Sequence, residues 1–258
     1  MGTELWTLVD LHLEVVIGLA LVLSAYAAMA RRTQQRRGDT VSPLRVASFT
    51  SGLFVILIAL NGPLHALADH YLFSAHMVQH LLLTLVAPPL LLGGLQRSPM
   101  KSLPLLHGLF RWLTTPLSAF ALYNATLIIW HVPLFYDWAM ENHTIHIGQH
   151  LLFLGTALLL WWPVVGPRES ELAPPAQLLY LFLSGIPMIL IAAFVTLADE
   201  PLYQFYTLAP RAFGITPLAD QRVGGVIMWV PGSLVYLVAM TVVYFRWAMH
   251  GEREHAEG

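Results

Sequence analysis

Apolar residues fall in long runs separated by short polar breaks along nearly the whole chain. Runs of about 17–25 residues are the length that carries a helix across a bilayer. None alternates with the period of two that a barrel strand needs, and only helices and closed barrels satisfy their backbone in lipid. The pattern predicts seven helical spans: Leu5 to Ala30, Leu44 to Leu60, His76 to Leu95, Pro116 to Val132, Thr144 to Val165, Gln177 to Leu197 and Gln221 to Trp247. Between them it predicts a basic loop, Arg31 to Arg37, and loops holding His65, Asp69 and His70, then Arg97, Lys101, His107 and Arg111, and a longer one from Ala198 to Ala219. Ser42-Pro43 opens the second span, Asn61-Gly62-Pro63 closes it, and Pro88-Pro89 predicts a kink in the third. No short apolar stretch with a small-residue cleavage site precedes the first span, so no cleaved signal peptide is expected. The expectation is an all-α membrane protein, a seven-transmembrane helix bundle formed by residues 1–250 as one domain, with residues 251–258 as a polar, frayed tail.

Polar residues break this pattern in one recurrent way. His76-Met77-Val78-Gln79-His80 runs straight into an apolar segment, and His146-Ile147-Gly148-Gln149-His150 does the same seventy residues later. Sliding Leu60–Leu92 onto Trp130–Trp162 without a gap aligns both histidines and the glutamine, and also Pro63-Leu64 with Pro133-Leu134. The repeat unit is a helix pair, spans two–three and four–five, with spans six–seven as a weak third copy lacking the histidines. Repeats in one orientation predict a ring-like bundle with equivalent ends facing a common centre.

Charge sets the expected orientation. Arg31, Arg32, Arg36, Arg37, Arg45, Arg97, Lys101, Arg111, Arg168, Arg246 and Arg253 fall on one side of the seven spans, and only Arg211 and Arg222 on the other. The positive-inside rule then places the N-terminus outside and the C-terminus inside. Nine histidines lie at the outer ends or in outer loops: His12, His65, His70, His76, His80, His131, His143, His146 and His150. Asp10, Glu14, Asp69, Asp137, Glu141, Asp199, Glu200 and Asp220 share that side, while His107, His250 and His255 are inner and read as solvated.

The composition narrows the chemistry. With no cysteine there is no disulfide, thiolate metal site or CxxC carrier. A net charge of -2 gives no reason to expect a nucleic-acid partner. No glycine-rich phosphate loop or nucleophile elbow is present. Histidine remains. Residues four apart on a helix are neighbours, so His76/His80 and His146/His150 each set two imidazoles on one face, and His143 extends the second stripe. Two such faces meeting supply nitrogen ligands suited to copper, zinc or iron. A single histidine near a span end is ordinarily structural, because interfacial polarity is cheap; two pairs in register call for partners. His12 and His131 are further candidate ligands, Glu14 and Asp220 ligands or supporting groups, and Met77 and Met140 outer thioethers soft enough for Cu(I). Gln79 and Gln149 either orient an imidazole or cap a helix start. His65 and His70 read as solvated loop residues.

These motifs resemble the polytopic CtaG family of cytochrome c oxidase assembly factors. The resemblance rests on His76-Met77-Val78-Gln79-His80-Leu81-Leu82 with Val86-Ala87-Pro88-Pro89-Leu90-Leu91. It rests also on Asp220-Gln221-Arg222-Val223-Gly224-Gly225-Val226-Ile227-Met228-Trp229-Val230-Pro231-Gly232, and on the seven-span layout. It implies a non-enzymatic protein of the bacterial cell (inner) membrane that helps mature a haem–copper terminal oxidase, with oxidase subunits as partners and copper as the metal handled. The residues keep three rival readings open: a b-type haem electron carrier with His80 and His150 as axial ligands, a di-iron membrane oxidase or hydroxylase, and a purely structural chaperone that holds the oxidase without metal.

Overall fold

The computed structural model describes residues 11–37, 40–95, 104–166 and 172–257, by backbone alone at 36–37, 104–107 and 250–257. Asp10, Arg97, Lys101, Arg168 and the start of the first expected span lie outside the described residues, as do the side chains of Arg36, Arg37, His107, His250, Arg253 and His255.

Proline and small polar residues start the helices. Ser42 accepts the amide of Arg45 in front of α2 (Pro43–Ala59), with Pro43 in the first turn where its missing N–H costs nothing. Thr115 does the same for α7 (Pro116–His131). Asn142 caps α9 (His143–Val165) through the amides of Thr144 and Ile145. Gly62 turns at φ 76°, open to glycine, to start α3 (Pro63–His70) on Pro63. The helix carrying the first histidine pair, α4 (Phe73–Leu81), has no cap of its own. Asp220 supplies one from the far end of the chain: its carboxylate accepts the amides of Phe73 (2.6 Å) and Ser74 (3.2 Å) and the Ser74 hydroxyl.

Among the described residues five helical runs are long and apolar enough to cross a membrane: Leu13–Gln35, Phe73–Gly94, His143–Val165, Pro174–Leu197 and Pro217–Met249. Two bent pairs raise the number to seven if each counts as one span: α2 with α3, bent by 45°, and α7 with α8 (Pro133–Glu141), bent by 78°. These helices are those of a multi-pass membrane protein. Both histidine spans follow such a bent pair, so the two aligned segments share one order of elements.

Several expected loops are helical. The basic stretch from Arg31 closes α1 (Leu13–Arg37), His65 and Asp69 sit in α3, and α6 (Pro104–Leu113) covers His107 and Arg111. The long connection after α10 (Pro174–Leu197) contains α11 (Gln204–Leu208), and α12 runs from Pro217 through Glu257 across the expected frayed tail.

The third span breaks where prolines were noted, by a different device. A π-helical turn, Leu82–Val86, separates α4 from α5 (Ala87–Gly94). Pro88 cannot donate to the Thr84 carbonyl four residues back, and the Trp161 indole N–H takes that acceptor at 2.9 Å. The run α4–α5 is the hub of the bundle. It packs on α2, α9 and α12, and the helices α9, α7, α10 and α12 complete a closed circuit with it. The core inside contains Phe73, Met77, Leu85, Tyr123, Phe153, Trp161, Met188, Met228 and Tyr236. α1 lies outside on α2, with Tyr26 stacked on Phe49. Gly224 lets α12 approach α4, because a Cβ there would strike Phe73 and Met77, and Gly232 lies against the Met188 side chain in the same way.

Candidate metal centre

Helical spacing brings the four histidines of the two repeated motifs together. His76 and His80, one turn apart on α4, have ring centroids 4.2 Å apart; His146 and His150, one turn apart on α9, have theirs 4.3 Å apart. Across the helix pair His76 stacks on His146 at 5.4 Å, and His80 meets His150 at 5.8 Å. His131, at the end of α7, reaches His80 at 6.0 Å. All five are buried. His76, His80 and His150 can each turn one ring nitrogen to a common ion, these atoms lying within 4.8 Å of one another, and so can Asp69, His76 and His146 one ligand atom each.

The partners of these rings fix where their protons sit. The Tyr206 hydroxyl donates to the Ala68 carbonyl at 2.6 Å, so at 3.1 Å from His76 Nδ1 it must accept. Burial lifts that hydroxyl well above its ordinary value, so it stays protonated. Tyr136 donates to the same oxygen. His76 therefore carries its proton on Nδ1 and turns a lone pair on Nε2 toward His80 Nε2, 2.7 Å away. His131 Nδ1 donates to the Leu127 carbonyl at 2.7 Å, which leaves its Nε2 as the lone pair. His146 Nδ1 faces the Asp69 carboxylate at 3.5 Å, the carboxylate–histidine arrangement that orients metal-bound imidazoles. His80 must then donate from Nε2 to His76, which leaves His80 Nδ1, His131 Nε2 and His146 Nε2 as lone pairs without a donor.

The pocket is unsatisfied as it stands. His80 Nδ1, His131 Nε2, His146 Nε2 and His150 Nε2 are buried with no hydrogen-bond partner among the described residues. Leaving a buried polar atom unpaired costs about 1–3 kcal/mol, and buried polar groups of native proteins are nearly always paired. A cation bound by nitrogen lone pairs is the ligand that this donor set fits.

One residue at the pocket's outer edge departs from the sequence reading. His65 is buried, not solvated, because α3 folds it onto the bundle: it accepts from Gln79 at Nδ1 (2.9 Å) and faces Asp69 (3.3 Å) and His12 Nε2 (2.9 Å) at Nε2. Gln79 orients an imidazole, as one of the two readings had it. His12 holds Glu14 at 2.7 Å and stacks at 6.1 Å on His143, which is exposed. Other candidates lie elsewhere. Asp220 is a helix cap at α4, Met77 is sealed in the hydrophobic core and Met140 packs against that core. Tyr206 and Asp69 had no spacing signal tying them to the histidines. Their only signal was placement on the same side of the spans.

The profile of the cytochrome c oxidase caa3 assembly factors (Caa3_CtaG) matches residues 24–250. Uncharacterized proteins of Mycobacterium bovis and Mycobacterium tuberculosis are each 26% identical to the chain, and one of Mycobacterium leprae is 22% identical. Each match covers 92% of this chain and 39% of the relative, so the chain spans about two fifths of the length of these curated relatives. No solved structure matches. Residues 24–250 include both histidine motifs and the helices that hold them, and over that length the chain belongs to the family of cytochrome c oxidase caa3 assembly factors.

Proposed function

We propose that the protein binds copper in the pocket of His76, His80, His131, His146 and His150 and passes it to a haem–copper oxidase during assembly, without catalysing a reaction. The observation that carries this reading is the set of buried imidazole nitrogens with no partner, two of them on rings whose other nitrogen faces an acceptor, the Leu127 carbonyl at His131 and the Asp69 carboxylate at His146. The pocket lies at the end of the bundle where Arg211 and Arg222 are the basic residues, which the positive-inside rule assigns to the outer face. An ion could then reach it from outside and leave for an oxidase subunit. Imidazoles exchange an ion more readily than a closed thiolate cage, and copper is the metal an oxidase of this class requires. The haem reading is less well supported. His80 has His76 at 4.2 Å and Phe153 at 4.5 Å, which occupy the space a macrocycle bound between His80 and His150 would need. The di-iron reading lacks carboxylates, Asp69 being the one acidic residue in the two candidate groups.

The test is elemental analysis with an absorption spectrum on detergent-purified protein, beside the double variant His80→Gln/His150→Gln. Copper retained by the parent and lost by a variant of unchanged helix content supports the reading. Stoichiometric iron or a Soret band overturns it. Protons compete for the same nitrogens, so copper retention should fall as the pH is lowered, and retention independent of pH would speak against imidazole ligands.

A further inference from the structure

The five histidines of the pocket are buried, and a series of imidazoles and carboxylates leads from them to the surface. From outside inward, Glu14 holds His12 (2.7 Å), His12 meets His65 (2.9 Å), His65 meets Asp69 (3.3 Å) and Asp69 meets His146 (3.5 Å). His146 then stacks on His76 inside the pocket. Side-chain exposure is 61% at Glu14 and 24% at His12, then 8% at His65, 15% at Asp69 and 7% at His146, and His76 is fully buried. Every member is an imidazole or a carboxylate.

Proton positions in the outer part repeat the logic of the inner part. Glu14 is an acceptor, so His12 donates from Nδ1 and turns its Nε2 lone pair toward His65. His65 accepts the Gln79 amide at Nδ1, so it carries its own proton on Nε2 and places it between His12 and Asp69. A carboxylate behind an imidazole, with the lone pair turned away from it, is how proteins prepare a metal-binding histidine. Here it occurs twice, Glu14–His12 at the rim and Asp69–His146 at the pocket mouth.

We infer that His12 and His65, supported by Glu14 and Asp69, form an outer metal station distinct from the inner pocket, which receives the ion and hands it inward by ligand exchange through Asp69 and His146. The inference rests on the metal-binding reading of the pocket. An ion entering at the rim meets the Nε2 lone pair of His12, and His65 joins it once its Nε2 proton has passed to Nδ1 and the Gln79 amide has turned its oxygen to accept it. Asp69 offers one carboxylate to His65 on the outer side and to His146 on the inner side, so an ion moving along the series need never be without a ligand. His143, stacked on His12, lies at the same rim.

The test is an anaerobic Cu(I) titration of the detergent-purified full chain against a chromophoric chelator. Two variants stand beside the parent: His12→Ala/Glu14→Gln, altered at the exposed end of the peripheral helix α1, and His80→Gln/His150→Gln, altered in the pocket. The parent should take a tight and a weaker equivalent. The His12/Glu14 variant should lose the weaker one, keep the tight one and load it several-fold more slowly. The pocket variant should keep the weaker one. A parent that takes one equivalent, with loading unchanged in the His12/Glu14 variant, overturns the outer station and leaves the pocket reading standing. A parent that takes none overturns both. Circular dichroism of each variant separates loss of a station from loss of fold.

Discussion

Tyr206 acts on His76 from 130 residues away in the chain. Its hydroxyl has a single proton, committed to the Ala68 carbonyl, and that commitment decides which nitrogen of His76 is free. Replacing Tyr206 by Phe removes the acceptor, so His76 can move its proton to Nε2 and present the wrong nitrogen. Loss of such a supporting hydrogen bond lowers metal affinity by roughly 10–100-fold. Tyr206→Phe should therefore weaken Cu(I) binding by that factor in the chelator titration, while the helical spectrum is kept; unchanged affinity would remove Tyr206 from the site. The histidine pairs were legible in the sequence because a four-residue spacing is a face of a helix whatever the tertiary fold. Tyr206 and His65 were not. One sits on a five-residue helix inside a long connection, the other on an eight-residue helix bounded by Gly62-Pro63 and Tyr71. Neither is long enough to show a period, and both are brought to the site by packing between distant segments.

At the scale of elements, the second family motif turns out to build the site's scaffold and not its ligands. Asp220 caps α4, Gln221 accepts the Leu202 amide (2.6 Å) and donates to the Val195 carbonyl (3.2 Å), and Gly224 admits the Phe73 ring. One turn of α12 therefore fixes the start of α4 three residues ahead of His76, and also the connection that carries Tyr206. An acidic residue at the outer end of a span is equally consistent with a ligand and with a cap, and only the partner's position separates them. Asp220→Ala removes a carboxylate that accepts three hydrogen bonds at the N-terminus of α4. Loss of an N-cap costs about 0.5–2 kcal/mol, and the uncapped turn is the one before His76. The variant should melt at lower temperature in detergent and also bind copper more weakly. A lower melting point with unaltered copper affinity would separate the cap from the site. The same scale explains the third span. Pro88-Pro89 announced a break, but the π-helical turn and the indole of Trp161 that completes it depend on a residue in α9, invisible to any local reading.

For the whole molecule, the question is which face the histidine end presents. Along the described chain Arg31, Arg32, Arg45, Arg111 and Arg246 lie toward one end of the spans and Arg211 and Arg222 toward the other, where the Arg211 guanidinium is tied to the Tyr206 and Thr207 carbonyls and Arg222 to that of Ala198. Five arginines at one end against two at the other is the asymmetry that favours the histidine end outside. The absence of native cysteine makes the test direct. Glu200→Cys lies at the histidine end and Thr40→Cys in the connection between α1 and α2 at the opposite end, both at exposed positions. In intact cells a membrane-impermeant maleimide should label the cysteine at 200 and should reach the one at 40 only after the membrane is opened. The reverse pattern would put the metal pocket on the inner face, and delivery to an oxidase would then have to start from the cytoplasmic side. Both readings use the same buried nitrogens, so the labelling result changes the direction of transfer without touching the chemistry of the pocket.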